Sequence, residues 1–329
     1  MSAFGSLRPR LYRVVGTLVT LLVAGGCAHT PPDAFPAGSG AGVELAATPF
    51  FPQEIHQCGP AALAATLGAS GVDVTPAELV SQTYLPGRKG SLQLELIAAA
   101  RRHQRVPYVL AGDADALFAE LDAGHPVLVL QDLGVGPLKV WHYAVVIGYH
   151  LQTQELVLRS GTTQRLVMHY RDFMRSWRKS GQWAVVVLPA DALPATADAA
   201  RYVESIVPIE ALGDIAVAHQ AYASALTRWP DNVLANFGFA TTAYQLGDLA
   251  GAAAGYRRVL ELAPANPIAL NNLAEVMLAR GCAVQAASYA EQALLQVSRG
   301  SELETSIEDT RTKAMAAQAL GRASEGCDR

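Results

Sequence analysis

The feature that most constrains the fold of this chain is a repeat in its C-terminal third. Four kinds of position recur there at a step of 34 residues. The glycine of each unit is placed to end a first helix, the alanine lets a second helix approach closely, and the proline breaks the chain before the next unit. The repeat therefore predicts helix pairs that stack side by side. The positions are Gly213, Gly247 and Gly281; Ala218, Ala252 and Ala286; Tyr222 and Tyr256; and Pro230 and Pro264.

The period and its small residues resemble the tetratricopeptide repeat, whose units bind protein partners on a concave face. Residues 246–267 form the clearest copy, and a third copy is degenerate because Ala290 stands where the aromatic residue is expected. A last helix around residues 311–320 is predicted to cap the stack. We therefore expect an all-α repeat domain over residues 211–329, with a protein as its partner.

The N-terminus has the pattern of an export signal. Arg8, Arg10 and Arg13 form a basic start, and the apolar segment over residues 14–24 is too short for an ordinary membrane span. Small residues then lead directly to Cys27, which resembles the lipobox of bacterial lipoproteins. An ordinary signal peptide and an uncleaved anchor are the alternatives.

The lipobox resemblance implies that the signal, residues 1–27, is cut before Cys27 and that the sulfur of Cys27 carries the lipid. The sequence departs from the usual pattern at Ala24, where lipoproteins usually have Leu. Ala28 follows Cys27, and it replaces the Asp that marks retention in the inner membrane. The resemblance therefore implies an exported lipoprotein anchored at the periplasmic face of the outer membrane.

Composition limits the function classes of the rest. Apolar residues make up 51% of the 329 and charged residues 16%, so a core is expected. The net charge of −4 and the lack of a polybasic arm beyond the export signal argue against nucleic acid as a partner. Residues 28–48 are rich in Pro, Gly and Ser and are predicted to be a flexible linker. A second linker with a helix in it is predicted over residues 190–210.

Between these linkers, residues 49–189 have helical patterns first and strand patterns second. This order predicts an α+β domain with an antiparallel sheet. A helix at residues 75–84 has Thr75 and Glu78 as a capping box, and Ser91 is predicted to cap the next helix. Helices are predicted near residues 61–69, 75–84, 91–104, 114–124 and 170–181, and strands near residues 126–133, 141–150, 155–161, 165–170 and 183–189.

The chain has four cysteines. In an oxidising compartment Cys282 and Cys327 could form a disulfide, and two free thiols are the alternative. With Cys27 assigned to the lipid, Cys58 has no obvious partner. An unpaired cysteine in an exported chain is a candidate reactive thiol.

Cys58 stands where a helix is predicted to begin. Backbone N–H groups and the helix dipole at such a position favour the thiolate, and Gly59 and Pro60 suit a slim first turn. A buried, inert cysteine is the alternative. A thiolate nucleophile needs a base, for which His142 at the start of a strand is the best candidate, and an oxyanion donor, for which Gln53 is the best candidate.

The strand that carries His142 is predicted to present it on one face together with Ala144. We expect the small residues on that face to leave room for the helix that begins at Cys58. Trp141, beside the histidine, is interpreted as a core residue, with a wall of the substrate groove as the alternative.

Taken together, the stretch "PQEIHQCGPAAL" and the downstream "HYAVVIGY" resemble the papain-like cysteine peptidases that process bacteriocin leaders at double-glycine sites, and their exported relatives. The resemblance covers residues 50–189. It implies a papain-like fold in which Cys58 attacks a peptide carbonyl, His142 is the base and Gln53 builds the oxyanion hole. It also implies a peptide or protein substrate.

The sequence departs from this family at the third triad member, which is usually Asp or Asn at the end of the next strand. Arg159 and Ser160 stand there. Ser160 could orient the imidazole, but it would not stabilise the imidazolium as a charge does. Asp132 might replace the missing carboxylate from a neighbouring strand, and a strand-end aspartate facing water is the alternative.

The sequence therefore predicts a lipid-anchored cysteine peptidase without cofactor or metal, whose repeats bind a protein. No P-loop pattern is present, and the other histidines lack metal-ligand spacing. Two alternatives remain: an amidase or transamidase on the same scaffold, and a non-catalytic assembly lipoprotein in which the site has decayed.

Overall fold

The computed structural model describes residues 35, 42–53, 56–320 and 327. The predicted signal segment and Cys27 lie outside these residues. The strands are β1 (Gly42–Glu44), β2 (Val106–Val109), β3 (Val127–Asp132), β4 (Trp141–His150), β5 (Glu155–Ser160), β6 (Thr163–His169) and β7 (Ala184–Leu188). The helices are α1 (Cys58–Ala69), α2 (Pro76–Thr83), α3 (Gln93–Arg102), α4 (Ala114–Asp122), α5 (Tyr170–Arg178), α6 (Ala199–Ala211), α7 (Ile215–Arg228), α8 (Val233–Gln245), α9 (Leu249–Leu262), α10 (Pro267–Ala279), α11 (Ala283–Leu294) and α12 (Glu302–Ala319).

One antiparallel sheet forms the centre of the N-terminal part, which confirms the predicted α+β class. Within the described residues it has seven strands in the order β2–β7–β3–β4–β5–β6, with β1 added beside β4. Strand β3 pairs with residues 141–146 of β4, and β1 pairs with residues 148–150. Strand β4, which carries His142, is therefore bonded along most of its length.

The sequence analysis missed two of these strands. Strand β2 contains Pro107, which lowers the strand signal but is tolerated because β2 lies at an edge of the sheet. Strand β1 lies inside the predicted linker of residues 28–48, so the flexible assignment is wrong for residues 42–44. Close approach explains Gly148: a Cβ there would lie 2.1 Å from the carbonyl oxygen of Val43.

Helix α1 is buried against one face of the sheet. Every residue from Gly59 to Leu67 is buried, as expected for a helix that is apolar on all sides. The core beneath it includes Tyr143, Val145 and Ile147 of β4. Because side chains alternate along a strand, this is the face opposite to Ala144 and His142. The prediction that α1 lies against the His142 face is therefore wrong.

The helix ends give one confirmed and one incorrect prediction. The capping box of α2 is present: the backbone N–H of Thr75 donates to Glu78 Oε2 at 2.8 Å. Helix α3 is preceded by Leu92 at its N-cap, so Ser91 is not the cap. Ser91 instead packs against Gly59, where an added Cβ would lie 2.4 Å from Ser91 Oγ. Ser91 therefore holds the first turn of α1 close to the loop before α3.

The C-terminal part confirms the helical repeat. Helices α6 and α7, α8 and α9, and α10 and α11 form successive pairs, and α12 follows them. Gly213, Gly247 and Gly281 each stand between the two helices of a pair, with φ of +87°, +81° and +79°. Such values favour glycine because it lacks a Cβ. A disulfide joins Cys282, at the start of α11, to Cys327 beyond α12.

The segment before α6 is bonded to the sheet domain. The backbone N–H of Asp198 donates to the Tyr108 hydroxyl at 3.1 Å, and the rings of Tyr108 and Tyr202 lie 6.3 Å apart. The backbone N–H of Thr196 donates to Glu120 Oε1 at 2.8 Å. The predicted linker of residues 190–210 thus contains fixed contacts as well as α6. In the part of the chain that the structure describes, none of the helices combines the length and apolarity needed to cross a membrane.

Candidate active site

Cys58 is the first residue of α1, where this helix meets the start of β4. The backbone N–H groups of Tyr143, of Gly59 and of Cys58 itself act on its sulfur and favour the thiolate. Tyr143 directly follows His142 in the chain. The sulfur of Cys58 therefore lies beside the backbone segment that carries the candidate base.

Two effects act on the Cys58 thiol in opposite directions. The backbone N–H groups favour the thiolate, as predicted from the helix start. Burial disfavours the charged form and is the larger effect, so the pKa of Cys58 is raised above its ordinary value. The resting form at neutral pH is therefore the thiol.

His142 is the second residue of β4, and Ser160 ends β5. His142 Nε2 lies 2.8 Å from Ser160 Oγ, a hydrogen bond between neighbouring strands. Within the described residues, Ser160 is the hydrogen-bond partner of the His142 ring. No hydrogen bond joins that ring to the sulfur of Cys58 there. Burial lowers the pKa of His142, so the imidazole is neutral at neutral pH.

Gln53 lies in the loop before α1, and this loop contacts the chain where β5 ends. Its backbone N–H donates to the carbonyl oxygen of Gly161 at 3.1 Å, and Gly161 directly follows Ser160. This contact places Gln53 beside the strand end that holds the His142 ring. Gln57 is the N-cap of α1, and its carbonyl accepts from the N–H of Ala61 at 3.2 Å.

Asp132 does not replace the missing carboxylate. Its carboxylate accepts from the backbone N–H groups of Gly134 and Val140, each at 3.0 Å, and from Lys139 Nζ at 2.9 Å. The hydrogen bond from Lys139 is the first cause that lowers the pKa of Asp132 to about 2. Asp132 therefore fixes the β3–β4 connection, and Ser160 is the group that contacts His142.

A cleft of about 540 Å³ opens in front of Cys58. Trp141 lines it and is 52% exposed, so the core interpretation of this tryptophan is wrong and the groove wall is right. His56 also lines the cleft, at a φ of +69° that is uncommon outside glycine. The lining residues are His56, Cys58, Arg88, Lys89, Gly90, Ser91, Leu92, Gln93, Leu130, Lys139, Val140, Trp141, Tyr143 and Ser180.

The sequence analysis did not identify the loop of residues 86–91 as part of this site. Its local signal was visible, because Pro86, Gly87 and Gly90 predict a turn. Nothing local placed that turn beside Cys58.

Among the residues that the structure describes, no three His, Cys, Asp or Glu side chains gather as metal ligands would.

The buried helix that begins at a cysteine, packed on an antiparallel sheet with a histidine strand, defines the cysteine-peptidase class of fold. A family model described as Peptidase_C39 like family matches residues 46–185, and a tetratricopeptide-repeat model matches residues 210–267 and 237–301. The chain therefore contains a C39-like peptidase domain followed by tetratricopeptide repeats.

Several solved structures are similar to parts of this chain. A C39-like peptidase from Bacillus anthracis is 16% identical over 45% of this chain and 97% of its own, with a TM-score of 0.39. The peptidase domain of Streptococcus ComA, a bifunctional ABC transporter, is 23% identical over 43% of this chain and 98% of its own, with a TM-score of 0.36. The Yersinia enterocolitica chaperone SycD, in complex with a peptide of YopD, is 14% identical over 36% of this chain and 92% of its own, with a TM-score of 0.34. A search of curated proteins gave no match.

Proposed function

We propose that this protein is a membrane-tethered thiol peptidase whose repeats hold a protein partner. The observation that supports it is the hydrogen bond between His142 and Ser160 at the start of β4, next to Tyr143, whose backbone N–H favours the Cys58 thiolate. The candidate base and its orienting group are thus in contact, and the candidate nucleophile lies beside the residue that follows the base. The C39-like domain supplies the family context.

In the proposed reaction both partners begin neutral. His142 takes the proton of the Cys58 thiol as the sulfur attacks the peptide carbonyl, and it then gives that proton to the leaving amine. Its lowered pKa keeps the imidazole unprotonated and available as a base at neutral pH. The hydrogen bond that the Cys58 thiol donates to the His142 ring forms in the complex with substrate, since such bonds are often long before binding. Water, activated by the same imidazole, releases the acyl group.

The oxyanion is proposed to accept hydrogen bonds from the Gln53 amide and the backbone N–H of Cys58. Ser160 orients the His142 ring through the 2.8 Å contact. A serine hydroxyl stabilises the imidazolium less than a carboxylate does. We therefore expect slower turnover than in an enzyme with a full triad.

The anchor and the partner complete the proposal. Cys27 would carry the lipid and hold the chain at the periplasmic face of the outer membrane, and residues 28–41 would link it to the sheet domain. The repeats would bind a protein and bring it, or the substrate, to the tethered peptidase. Incorporation of labelled fatty acid into the full chain, and its loss in Cys27→Ser, tests the anchor.

A second candidate is a non-catalytic lipoprotein that acts through its repeats. Two observations favour it: the pKa of Cys58 is raised, and Ser160 contacts His142 where the family usually has Asp or Asn. In this case the thiol would be a relic, and the repeats would carry the function.

Cleavage of peptide libraries by the purified chain without its signal separates the two candidates. The peptidase proposal predicts cleavage that is lost in Cys58→Ala and in His142→Ala but kept in His169→Ala, a matched change of an exposed histidine on β6. Cleavage by Cys58→Ala at the wild-type rate would rule out the thiol mechanism. Absence of cleavage by the wild type, with a partner still retained by the repeats, would favour the non-catalytic protein.

A further inference from the structure

The charge of the cleft in front of Cys58 is one-sided. Arg88, Lys89 and Lys139 line it, whereas none of the described lining residues is Asp or Glu. Lys139 already pairs with Asp132 at 2.9 Å. In the described part of the chain neither Arg88 nor Lys89 has a carboxylate within ion-pair distance. Among the described residues, these two positive charges therefore line the cleft without a carboxylate partner.

These two residues are held in place by the backbone of their turn. The N–H of Leu85 donates to the carbonyl oxygen of Gly90 at 2.8 Å, and the N–H of Lys89 donates to Pro86 at 3.1 Å. Lys89 adopts a φ of +49°, which costs free energy for a residue with a Cβ. A turn of fixed geometry presents both cations from one place, so they can act on the same anion.

The wall on the β3–β4 side is apolar except for Lys139, whose ammonium lies 5.8 Å from the centroid of the Trp141 ring. Val140 and Trp141 are each 52% exposed and line the cleft, together with the ring of Tyr143. Exposed aromatic and aliphatic side chains in a groove gain free energy when a ligand covers them. The lining of the cleft therefore combines the cations Arg88 and Lys89 with the apolar surface of Val140 and Trp141.

We propose that the Cys58 site takes acidic peptides: an aspartate or glutamate of the substrate binds Arg88 and Lys89, and a neighbouring apolar side chain packs against Trp141. This inference rests on the proposed peptidase function and names its substrate class. Charge complementarity selects a peptide carboxylate as the occupant. A small inorganic anion on the two cations is the other outcome, and the experiment separates it.

The first measurement needs no turnover. Cys58 is alkylated with iodoacetate, which is anionic, and with iodoacetamide, which is neutral, and the modification is read at Cys58 by mass spectrometry. The quantity compared is the rate with iodoacetate divided by the rate with iodoacetamide. Since exposed ion pairs are weak, we expect this ratio to fall about fivefold in the double variant Arg88→Gln, Lys89→Gln. The ratio should also fall in the wild type at high salt, because screening weakens the attraction. The control, Arg171→Gln with Arg299→Gln, removes the same charge from exposed positions that do not line the cleft.

The second measurement uses two acetylated hexapeptide libraries, one with Glu fixed at a single position and one with Gln there. We expect the Glu library to protect Cys58 from iodoacetamide at about fivefold lower concentration, and this advantage to disappear in the double variant. Inorganic phosphate at the same concentration should protect far less than the Glu library.

Three results are informative. An alkylation ratio that is the same in the wild type and the double variant overturns the proposal. Equal protection by phosphate and by the Glu library also overturns it, since the site would then hold any small anion. Selective protection by the Glu library supports it even if no peptide is cleaved, in which case the peptidase function alone fails.

Discussion

The residue after the nucleophile tests how tightly the site is built. A Cβ added at Gly59 would lie 2.4 Å from Ser91 Oγ, 2.6 Å from Ser91 Cβ and 3.4 Å from Leu96 Cδ2. The first two distances are far shorter than a van der Waals contact. Ser91 is short, so its backbone or that of α1 must move to accept Gly59→Ala.

The magnitude follows from two opposing effects. Overpacking by one methyl group typically lowers the free energy of unfolding by about 1–3 kcal/mol. Alanine gains up to about 1 kcal/mol over glycine in a helix, and less in the first turn. We therefore expect Gly59→Ala to be less stable than the wild type by about 1–2 kcal/mol.

Urea unfolding, followed by tryptophan fluorescence, measures this difference as a lower midpoint. The rescue variant is Ser91→Gly, which removes both atoms of the clash. In a double-mutant cycle Gly59→Ala should cost less in the Ser91→Gly background by about 1–2 kcal/mol. A Gly59→Ala protein as stable as the wild type, or an equal cost in both backgrounds, would refute the packing argument.

Three further predictions concern the contact of His142 with Ser160, the junction between the sheet domain and the repeats, and the disulfide of the repeats. Ser160→Asp should raise the pKa of His142, because a nearby negative charge favours the imidazolium; an NMR titration of the ring measures it, and an unchanged pKa would contradict the contact seen here. Glu120→Gln should lower the free energy of unfolding by about 1–3 kcal/mol, because one of the two buried carboxylate oxygens that accept from backbone N–H groups is replaced. The control Glu204→Gln, at an exposed position, should change this free energy little. Cys327→Ser should lower the free energy of unfolding by up to about 4 kcal/mol, the value that the chain-entropy model gives for a disulfide with a sequence separation of 45. Equal urea midpoints of the wild type with and without reductant would contradict a stabilising role of this disulfide.

Local periodic patterns predicted much of the fold. The 34-residue step gave the helix pairs because each unit repeats the same packing, and the bounds of β4 agreed with its β-branched run. Strand β2 was missed because Pro107 weakens the strand signal, and only the edge position of β2 explains why proline is tolerated. Strand β1 is three residues long, and its pairing with β4 is a long-range contact that no local pattern carries.

The sequence predicted which two elements meet at the candidate site, but not the electrostatics of that site. The motif around Cys58 and the strand of His142 identified the elements that meet. The sign of the Cys58 pKa shift could not be read from the helix start, since burial by the sheet outweighs the N–H groups. In the same way, Arg88 and Lys89 were visible as a turn, but only the tertiary fold places that turn at the cleft.

The raised pKa of Cys58 has a consequence for the proposed function, in which the chain is an exported enzyme. Oxidants and disulfides react with the thiolate, so a cysteine held as the thiol is protected while no substrate is bound. Neutral His142, bonded to Ser160 and not to a carboxylate, adds no charge that would draw the proton from the sulfur at rest. Substrate in the cleft would exclude water and bring the carbonyl to the sulfur, so that proton transfer and attack occur together. In the proposed enzyme the serine in place of a carboxylate would limit turnover, and the same replacement would keep Cys58 intact in an oxidising compartment.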